Sequence, residues 1–335
     1  MCTTFVNYIE AVQTLALNPD ERYYIKLKAA YLYYYEDLTQ KKVAERLHVS
    51  RPTLNKLLKE ARQEGMVKIE IHDYRNYSYL VEMENELCAK LGLTDVKVAR
   101  CYTDEPSIVI ERIGKAAAVY IDKTIRGGMC VGVGWGRTLE SIANYITPNS
   151  NVMNCEFVTL VGGAGNLEFQ LHANGLTERI AHNYHHSTAH HIYAPIFSVD
   201  ATLSSALLKD AHIKKVMNKM NDLDFALVGV DGDLSASTTL MTNSFPREYL
   251  DKLAQEKAVG NICARFYDID GKPCAHELNE RVISIPLKLL KKTPQVIAVA
   301  AGNHKVASII GGARGGFFDI LVTDEHTAKA LLAYK

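Results

Sequence analysis

The sequence predicts an α/β protein in which a small helical module precedes a mostly parallel sheet flanked by helices. Three observations lead to this fold class. Strand-like apolar runs alternate with helical stretches beyond residue 79, and basic residues concentrate between residues 38 and 68. The chain also has 335 residues, 47% of them hydrophobic. Because single cores rarely grow beyond about 250–300 residues, we expect more than one domain.

The charge of the chain is unevenly distributed. Lys and Arg together number 38, as do Asp and Glu, so the formal net charge is zero. The segment from Leu38 to Lys68, however, contains eight basic and three acidic residues, a net charge of +5, and the rest of the chain carries −5. The neutral total therefore conceals a short basic segment and does not exclude a nucleic-acid partner.

The basic segment has the residue spacing of two short helices joined by a tight turn. Residues 22–36 predict a helix in front of it, whose tyrosines are expected to pack against neighbouring residues. Thr39 and Ser50 are suited to N-cap the next two helices. The third helix has a buried stripe at helical spacing, formed by Leu54, Leu57 and Leu58. Together these features predict a helix-turn-helix.

In a helix-turn-helix the second helix enters the major groove of DNA, and its polar side chains contact bases and phosphates. The alternating residues 66–71 predict a strand that would form half of a wing. The sequence thus indicates a winged helix-turn-helix that binds double-stranded DNA. The residues expected to contact DNA are Thr39, Gln40, Ser50, Arg51, Thr53, Asn55, Lys56 and Lys59.

The remainder of the chain alternates between strands and helices, after a polar linker. This alternation is typical of a mostly parallel sheet with helices on both faces. The predicted strands are Val96–Ala99, Met129–Val133, Glu156–Leu160, Phe225–Val230, Val296–Ala300 and Phe318–Val322. The predicted helices are Ile110–Thr124, Thr138–Ile146, Leu171–His186 and Glu325–Leu332.

Glycine-rich loops follow four of the predicted strands. Backbone N–H groups in such loops, together with the following helix N-terminus, bind anions. Ligands of open parallel sheets bind at the carboxyl ends of the strands, where these loops lie. The sequence therefore favours an anionic, hydroxylated ligand. The four loops are Gly132–Thr138, Val161–Asn166, Gly229–Asp233 and Ala301–Lys305.

The sequence resembles the SorC/DeoR-type sugar-binding transcriptional regulators of bacteria from residue 22 onward. Segment 38–51 is similar to the family's helix-turn-helix, and segments 133–138 and 301–305 are similar to its effector-binding loops. Segments 258–271 and 321–325 resemble further family motifs. One departure is Val161, where several relatives have a basic residue.

The resemblance implies a non-catalytic, Rossmann-like effector domain related to phosphosugar isomerases. It implies a dimer or tetramer whose operator binding is controlled by a phosphorylated sugar or sugar alcohol. The expected division is an arm at 1–21, a winged helix-turn-helix at 22–72, a linker at 73–79 and an effector and oligomerisation domain at 80–335. The expected effector-binding residues are Gly134, Trp135, Gly136, Arg137, Thr138, Gly162, Gly163, Asn174, Asp231, Asn261 and Lys305.

Two other functions remain open from the sequence. An active sugar-phosphate isomerase or deaminase would need a positioned acid or base, for which Glu168, Asp231 and Asp233 are available. A metal-sensing regulator would use the histidine cluster, in which His182 has helix-face spacing to His185 or His186. The type of sugar, the operator sequence and the direction of regulation are left undetermined.

The composition also bears on localisation. The chain has no apolar run of about 18 residues and no signal-peptide pattern, so a cytoplasmic protein is expected. Its seven cysteines form no C-x-x-C pair. Reduced thiols, without a metal or cofactor, are therefore the expectation.

Overall fold

The structure is a computed structural model that describes residues 18–70, 72–165, 169–232, 239 and 245–335. The predicted residues Ile71, Asn166, Glu168 and Asp233 lie outside these ranges, as do residues 1–17 of the predicted arm. The chain divides into two compact units between Arg75 and Asn76. The two units are described separately.

The N-terminal unit begins with helix α1, Pro19–Ala30. Asn18 and Glu21 form a capping box, in which the Glu21 N–H donates to Asn18 Oδ1 at 2.8 Å and the Asn18 N–H donates to Glu21 Oε2 at 3.2 Å. The helix therefore starts three residues before the predicted boundary at residue 22. It continues into a π-helical turn at Tyr31–Tyr35.

Most tyrosines of this segment lie on its exposed side. Ile25, Ala29 and Leu32 occupy the buried face. The rings of Tyr31 and Tyr35 stack on each other with centroids 4.7 Å apart, so packing between neighbouring residues occurs within the segment itself. The exposed tyrosines are Tyr23, Tyr24, Tyr31, Tyr34 and Tyr35.

Two further helices, α2 (Gln40–Leu47) and α3 (Arg51–Gln63), follow at the predicted positions. Their N-caps are the predicted ones: Thr39 accepts from the Lys42 N–H, and Ser50 accepts from the Thr53 N–H at 3.3 Å. His48 takes a left-handed conformation, with φ of 51°, and thereby begins the tight turn. The predicted leucine stripe of α3 is buried in the core of this unit.

The predicted wing strand is not formed by residues 66–70, which have no strand conformation. Gly65, with φ of 76°, ends the α3 segment. A strand needs a hydrogen-bonded partner, and within the described ranges no strand pairs with this stretch. The alternation of apolar and polar residues was therefore an insufficient signal for a strand here.

The C-terminal unit, Asn76–Lys335, contains the predicted effector domain and is called the effector unit. It has one seven-stranded, fully parallel sheet in the order β1-β11-β10-β7-β2-β4-β6. All six predicted strands are present in it, within two residues of their predicted ends. The strands are β1 Asp95–Ala99, β2 Cys130–Val133, β4 Glu156–Thr159, β6 Thr188–His190, β7 Phe225–Gly229, β10 Val296–Val299 and β11 Ile320–Asp324.

Two short strand pairs accompany the sheet, β3 (Asn149–Met153) with β5 (Tyr184–His185) and β8 (Gly260–Ile262) with β9 (Arg265–Tyr267). These were not predicted. The helices of the unit are α4 Ser78–Leu91, α5 Pro106–Thr124, α6 Arg137–Tyr145, α7 Ala173–Ala181, α8 Ala201–Lys209, α9 Ala211–Lys219, α10 Leu250–Gln255, α11 His276–Arg281, α12 Leu287–Leu290, α13 Val306–Gly315 and α14 Glu325–Ala333.

Apolar side chains cover both faces of the sheet. In β7, Phe225 and Leu227 belong to one buried cluster, whereas Ala226 and Val228 belong to the other. This is the alternation expected of a strand that is buried on both sides. The predicted α/β architecture with two helical layers is therefore confirmed.

The strand order reverses between β2 and β7. From β2 the chain proceeds outward to β4 and β6, then returns to β7 on the other side of β2 and continues to β10 and β11. In an open parallel sheet, loops diverge at such a reversal and leave a crevice at the carboxyl ends of the strands.

Candidate functional site

The exposed side of α3 carries four of the eight predicted DNA-contacting side chains. Arg51, Asn55 and Lys59 are exposed and follow each other at intervals of four residues, which places them on one helix face. Lys56 beside them is also exposed, as are Thr39, Gln40 and Ser50 at the helix starts, whereas Thr53 is half-buried. The Thr53 and Ser50 hydroxyl oxygens are 2.8 Å apart, within the helix cap.

The acidic residues of α3 and its end are held by basic residues of α1. Arg22 Nη2 lies 2.9 Å from Glu60 Oε1, and Lys26, whose side chain is buried, pairs with Glu64. These carboxylates are thus paired with basic side chains of a neighbouring helix. The surface near Arg51 and Lys59 consequently keeps the positive charge that phosphate contacts require.

A cavity of about 350 Å³ lies at the reversal of strand order in the effector unit. Its walls come from the loops after β2, β7 and β10, from the β8–β9 hairpin, from the junction of β11 with α14 and from one face of α5. The α5 side chains that line it are Pro106, Val109, Ile110 and Ile113. The cavity thus has an apolar wall opposite polar loop residues, as small-molecule sites usually do.

Seven of the predicted effector residues line this cavity: Trp135, Gly136, Arg137, Thr138, Asp231, Asn261 and Lys305. Gly134 lies directly before them and is buried, and its N–H donates to the Leu227 carbonyl oxygen at 2.8 Å. The structure therefore brings together three of the four predicted glycine-rich loops, although they are far apart in the sequence.

Gly162, Gly163 and Asn174 do not line this cavity. The Gly162 N–H donates to the Ile283 carbonyl oxygen and the Gly163 N–H to the Ala194 carbonyl oxygen, at 2.9 and 2.8 Å. The Asn174 amide bonds the backbone of Ile192 in both directions, at 3.1 and 3.2 Å. In the structure these three residues hold neighbouring backbone segments in place.

Two helix N-termini at the cavity have no cap from a described side chain. Gly136, with φ of 99°, precedes α6, and Lys305, at the end of a 3₁₀ turn, precedes α13. By contrast, Asp324 caps α14 by accepting from the His326 and Thr327 N–H groups at 2.9 and 3.1 Å. At α13 the preceding 3₁₀ turn already uses the Val306 N–H, which donates to the Asn303 carbonyl oxygen. The N-terminus of α6 is therefore the better placed of the two to bind an anion through backbone N–H groups.

A basic side chain accompanies each of these N-termini, namely Arg137 and Lys305. Burial lowers the pKa of Lys305; the carboxylate of Asp231 opposes this shift, and the charge of Arg137 adds to it. A desolvated ammonium group next to a guanidinium group is stabilised when an anion binds between or beside them. The electrostatics of the cavity therefore favour a negatively charged ligand.

The predicted site omitted the wall formed by Asp104 and the start of α14. Asp104 Oδ1 lies 3.2 Å from His326 Nδ1, and both residues line the cavity, as do Asp324 and Thr327. The Thr327 hydroxyl oxygen accepts from the Gly302 N–H at 2.7 Å. Asp324 lies two residues beyond the predicted strand Phe318–Val322 and is the last residue of β11 at the ligand edge of the sheet. That position was the available signal.

The predicted helix over residues 171–186 ends at Ala181, and Tyr184 and His185 form a strand. The helix-face spacing of His182 with His185 or His186 therefore does not exist. No group of three or more His, Cys, Asp or Glu side chains suited to a metal occurs in the described part of the chain. Among the described helices, none is long and apolar enough to cross a membrane.

Comparisons with known proteins agree with this architecture. A family model described as "Putative sugar-binding domain" matches residues 75–333. The deoxyribonucleoside regulator of Bacillus subtilis (strain 168) is 30% identical over 312 residues, which are 93% of this chain and 98% of that protein. The sorbitol operon regulator of Klebsiella pneumoniae is 30% identical over 308 residues, 91% of this chain and 96% of that protein.

A solved structure extends the similarity to both units. The crystal structure of the full-length sorbitol operon regulator SorC from Klebsiella pneumoniae has a TM-score of 0.71 and 28% sequence identity to this chain. The match covers 94% of this chain and 100% of that one. The chain therefore belongs to the family of sugar-binding transcriptional regulators of the SorC/DeoR type.

Proposed function

We propose that this protein regulates a sugar catabolic operon, and that a phosphorylated sugar or sugar alcohol bound in the cavity controls its affinity for operator DNA. The observation that carries the proposal is the cavity at the strand-order reversal. There the uncapped N-terminus of α6 lies in the same cavity as two basic residues, Arg137 and Lys305. This combination of backbone N–H groups and cations is suited to phosphate.

The phosphate group is assigned to the start of α6. The backbone N–H groups after Gly136 would donate to its oxygens, and the Arg137 guanidinium and Thr138 hydroxyl would add side-chain hydrogen bonds. Lys305 would provide a second cationic contact. A cavity of about 350 Å³ lies at the lower end of the roughly 300–1,000 Å³ that small-molecule sites span.

The sugar hydroxyls are assigned to the polar residues of the other loops. Asp231, Asn261 and Asn303 line the cavity, and their carboxylate and amide groups both accept hydrogen bonds from hydroxyls, while the amides also donate. The names of two relatives refer to sorbitol and to deoxyribonucleosides, both of which are polyhydroxylated. This supports a hydroxyl-rich ligand without identifying it.

DNA binding is assigned to α3, in a domain spanning residues 22–72. Arg51 and Asn55 would contact base edges, whereas Thr39, Gln40, Lys56 and Lys59 would contact phosphates. Residues 80–335 would bind the effector and form a dimer or tetramer, so that two copies of α3 read two half-sites about 34–36 Å apart. The effector would favour one arrangement of the copies and thereby change operator affinity.

A mobility-shift titration tests this function. The probe is the promoter DNA of the operon beside the protein's own gene, with and without a panel of pentose, hexose and hexitol monophosphates. We expect at least one compound to change the dissociation constant for DNA by about 5–150-fold, the usual range of allosteric coupling. The unphosphorylated sugars serve as controls. If every phosphorylated compound leaves DNA affinity unchanged, the assignment of the effector is wrong.

A further inference from the structure

The first residues of the effector unit are held by an arginine at the end of β1. The Arg100 guanidinium carbon lies 5.1 Å from the centre of the Tyr77 ring and 5.9 Å from that of Tyr79. The ring of Tyr102 lies 5.0 Å from the same guanidinium. Cation–π contacts at these distances attach the segment that precedes and begins α4 to the loop that leaves β1.

A hydrogen bond provides a second attachment for the same segment. The Tyr79 hydroxyl donates to Glu325 Oε2 at 3.0 Å, and Lys329 Nζ donates to the other carboxylate oxygen at 2.6 Å. The Glu325 side chain is only 13% exposed. A hydrogen bond to a largely buried carboxylate is stronger than one between neutral groups. Tyr77, Tyr79, Arg100 and Glu325 are together called the clasp.

Both attachments lead directly to the ligand cavity. Asp104 lies in the loop that contains Arg100 and Tyr102, and it lines the cavity together with Pro106, the first residue of α5. The neighbours of Glu325 in the chain, Asp324 and His326, line the cavity as well. The 3.2 Å contact between Asp104 Oδ1 and His326 Nδ1 joins these two walls. A continuous series of contacts thus runs from the cavity through Asp104, His326 and Glu325 to Tyr79.

We propose that the clasp couples the ligand cavity to the predicted linker, residues 73–79, in which the boundary between the two units lies. Tyr79 is the positioning residue. A ligand that contacts Asp104, His326 or Lys305 changes the position of the α14 N-terminus, and with it the carboxylate that holds Tyr79. The contact between this linker and the Glu325 carboxylate consequently differs between the ligand-bound and ligand-free states. This inference concerns the regulation of the site and rests on the proposed function.

The decisive variant is Tyr79→Phe, which removes the hydroxyl but keeps the ring beside Arg100. The measured quantity is the coupling ratio, the dissociation constant for promoter DNA with the active sugar phosphate divided by that without it. We expect the ratio to move toward one by about fivefold or more, since a hydrogen bond to a charged group is lost. Sugar phosphate affinity in the absence of DNA is measured in parallel by calorimetry.

The matched control is Tyr145→Phe, which removes another tyrosine–glutamate hydrogen bond, to Glu111 Oε1 at 2.7 Å. It should leave the coupling ratio unchanged. Glu325→Gln, which keeps an acceptor oxygen for Tyr79, should retain most of the coupling, whereas Glu325→Ala should lose it. A role in stability alone would lower the melting temperature of Tyr79→Phe and leave the ratio at its original value.

The possible outcomes separate the two proposals. Reduced coupling in Tyr79→Phe and Glu325→Ala, with normal coupling in Tyr145→Phe, supports the clasp. Normal coupling in Tyr79→Phe overturns the clasp and leaves the proposed function intact. Failure of every sugar phosphate to alter DNA binding by the unaltered protein overturns the proposed function, and the clasp falls with it because there is no signal to transmit.

Discussion

Asp231 and Asn261 hydrogen-bond through their backbones in both directions, at N–O distances of 3.0 and 3.1 Å. This pairing joins the end of β7 to the β8–β9 hairpin, so that two residues from distant parts of the sequence line one cavity. The close approach depends on Gly260. A Cβ atom there would lie 2.5 Å from the Asp231 carbonyl oxygen and 2.2 Å from Ser308 Cβ.

Replacing Gly260 with alanine should therefore separate these elements. We expect Gly260→Ala to lower the free energy of unfolding of the effector unit by about 1–3 kcal/mol, the usual cost of overpacking. Urea unfolding can be followed by the fluorescence of Trp135, the single tryptophan of the chain. Gly163→Ala is the control, because its Cβ would meet only an ordinary contact, 3.8 Å from the Ala194 carbonyl oxygen. Equal losses in both variants would contradict this account.

Arg137 and Lys305 should decide the preference for phosphorylated ligands. We expect Arg137→Gln and Lys305→Met each to weaken binding of the active sugar phosphate by roughly 10–100-fold, since a charge-assisted hydrogen bond contributes about 1.5–3 kcal/mol. Isothermal titration calorimetry gives the affinities. Lys288→Met, which changes an exposed lysine outside the cavity, should behave as the unaltered protein. If Arg137→Gln and Lys305→Met both bind the sugar phosphate as tightly as the unaltered protein does, the phosphate is assigned to the wrong place.

The exposed face of α3 should contain two kinds of DNA contact. Asn55→Ala should weaken operator binding by about 1–3 kcal/mol and relax the base preference at one base pair. Lys59→Ala should weaken binding to all DNA sequences alike, and it should reduce the slope of log affinity against log salt concentration by about one. Fluorescence anisotropy at several salt concentrations distinguishes the two effects. Lys28→Ala, an exposed lysine on α1, is the control. If Asn55→Ala and Lys59→Ala bind DNA as tightly as Lys28→Ala does, the exposed face of α3 is not the DNA-contacting surface.

Protonation of His190 should lower the free energy of unfolding at mildly acidic pH. Burial lowers the pKa of His190, with the 3.3 Å contact to Glu156 opposing and the charge of Lys219 adding to the shift. The unfolded chain therefore binds this proton more readily than the folded chain does. As pH falls below the ordinary value of about 6.5, protonation thus favours unfolding.

The variant His190→Gln should consequently show a smaller loss of melting temperature between about pH 7.5 and pH 5.5 than the unaltered protein, since this proton-linked contribution is absent. His276→Gln is the control, because the side chain of His276 is 90% exposed. Thermal unfolding followed by circular dichroism gives the melting temperature of each variant at the two pH values. Identical slopes for His190→Gln and the unaltered protein would show that His190 does not contribute.

The cavity residues that follow strands could be predicted because their position depends on local pattern. An apolar run that ends in glycine and a basic or polar residue marks the carboxyl end of a parallel strand, and Gly136, Arg137 and Lys305 were found this way. Gly162 fits the same pattern, but its N–H donates to the Ile283 carbonyl oxygen. Asn174 was expected from the family resemblance alone, and its side chain bonds the backbone of Ile192. Hydrogen bonds between segments that are far apart in the sequence leave no local pattern from which they could be predicted.

The exposed tyrosines between residues 23 and 35, and the lack of strand conformation in residues 66–70, show a second limit. Helical spacing identifies which residues share a face, but it does not say whether another element covers that face. Tyr35 is 77% exposed although it is large and partly apolar. Residues 66–70 alternate like a strand, yet a strand forms only where a partner supplies hydrogen bonds. Asp104 and His326 were missed for a similar reason, because only the folded chain brings them together.

The pairing of β1 with β11 determines when the effector unit can be completed during synthesis. In the described part of the chain β1 pairs with β11, and β11 ends at Asp324, far later in the sequence than β1. The helices of the N-terminal unit, by contrast, form a core from residues near each other in the sequence. A nascent chain can thus complete this helical core early, while β1 stays without its partner strand until β11 has left the ribosome. Premature termination before β11 would therefore release a folded N-terminal unit attached to an unfinished, aggregation-prone sheet.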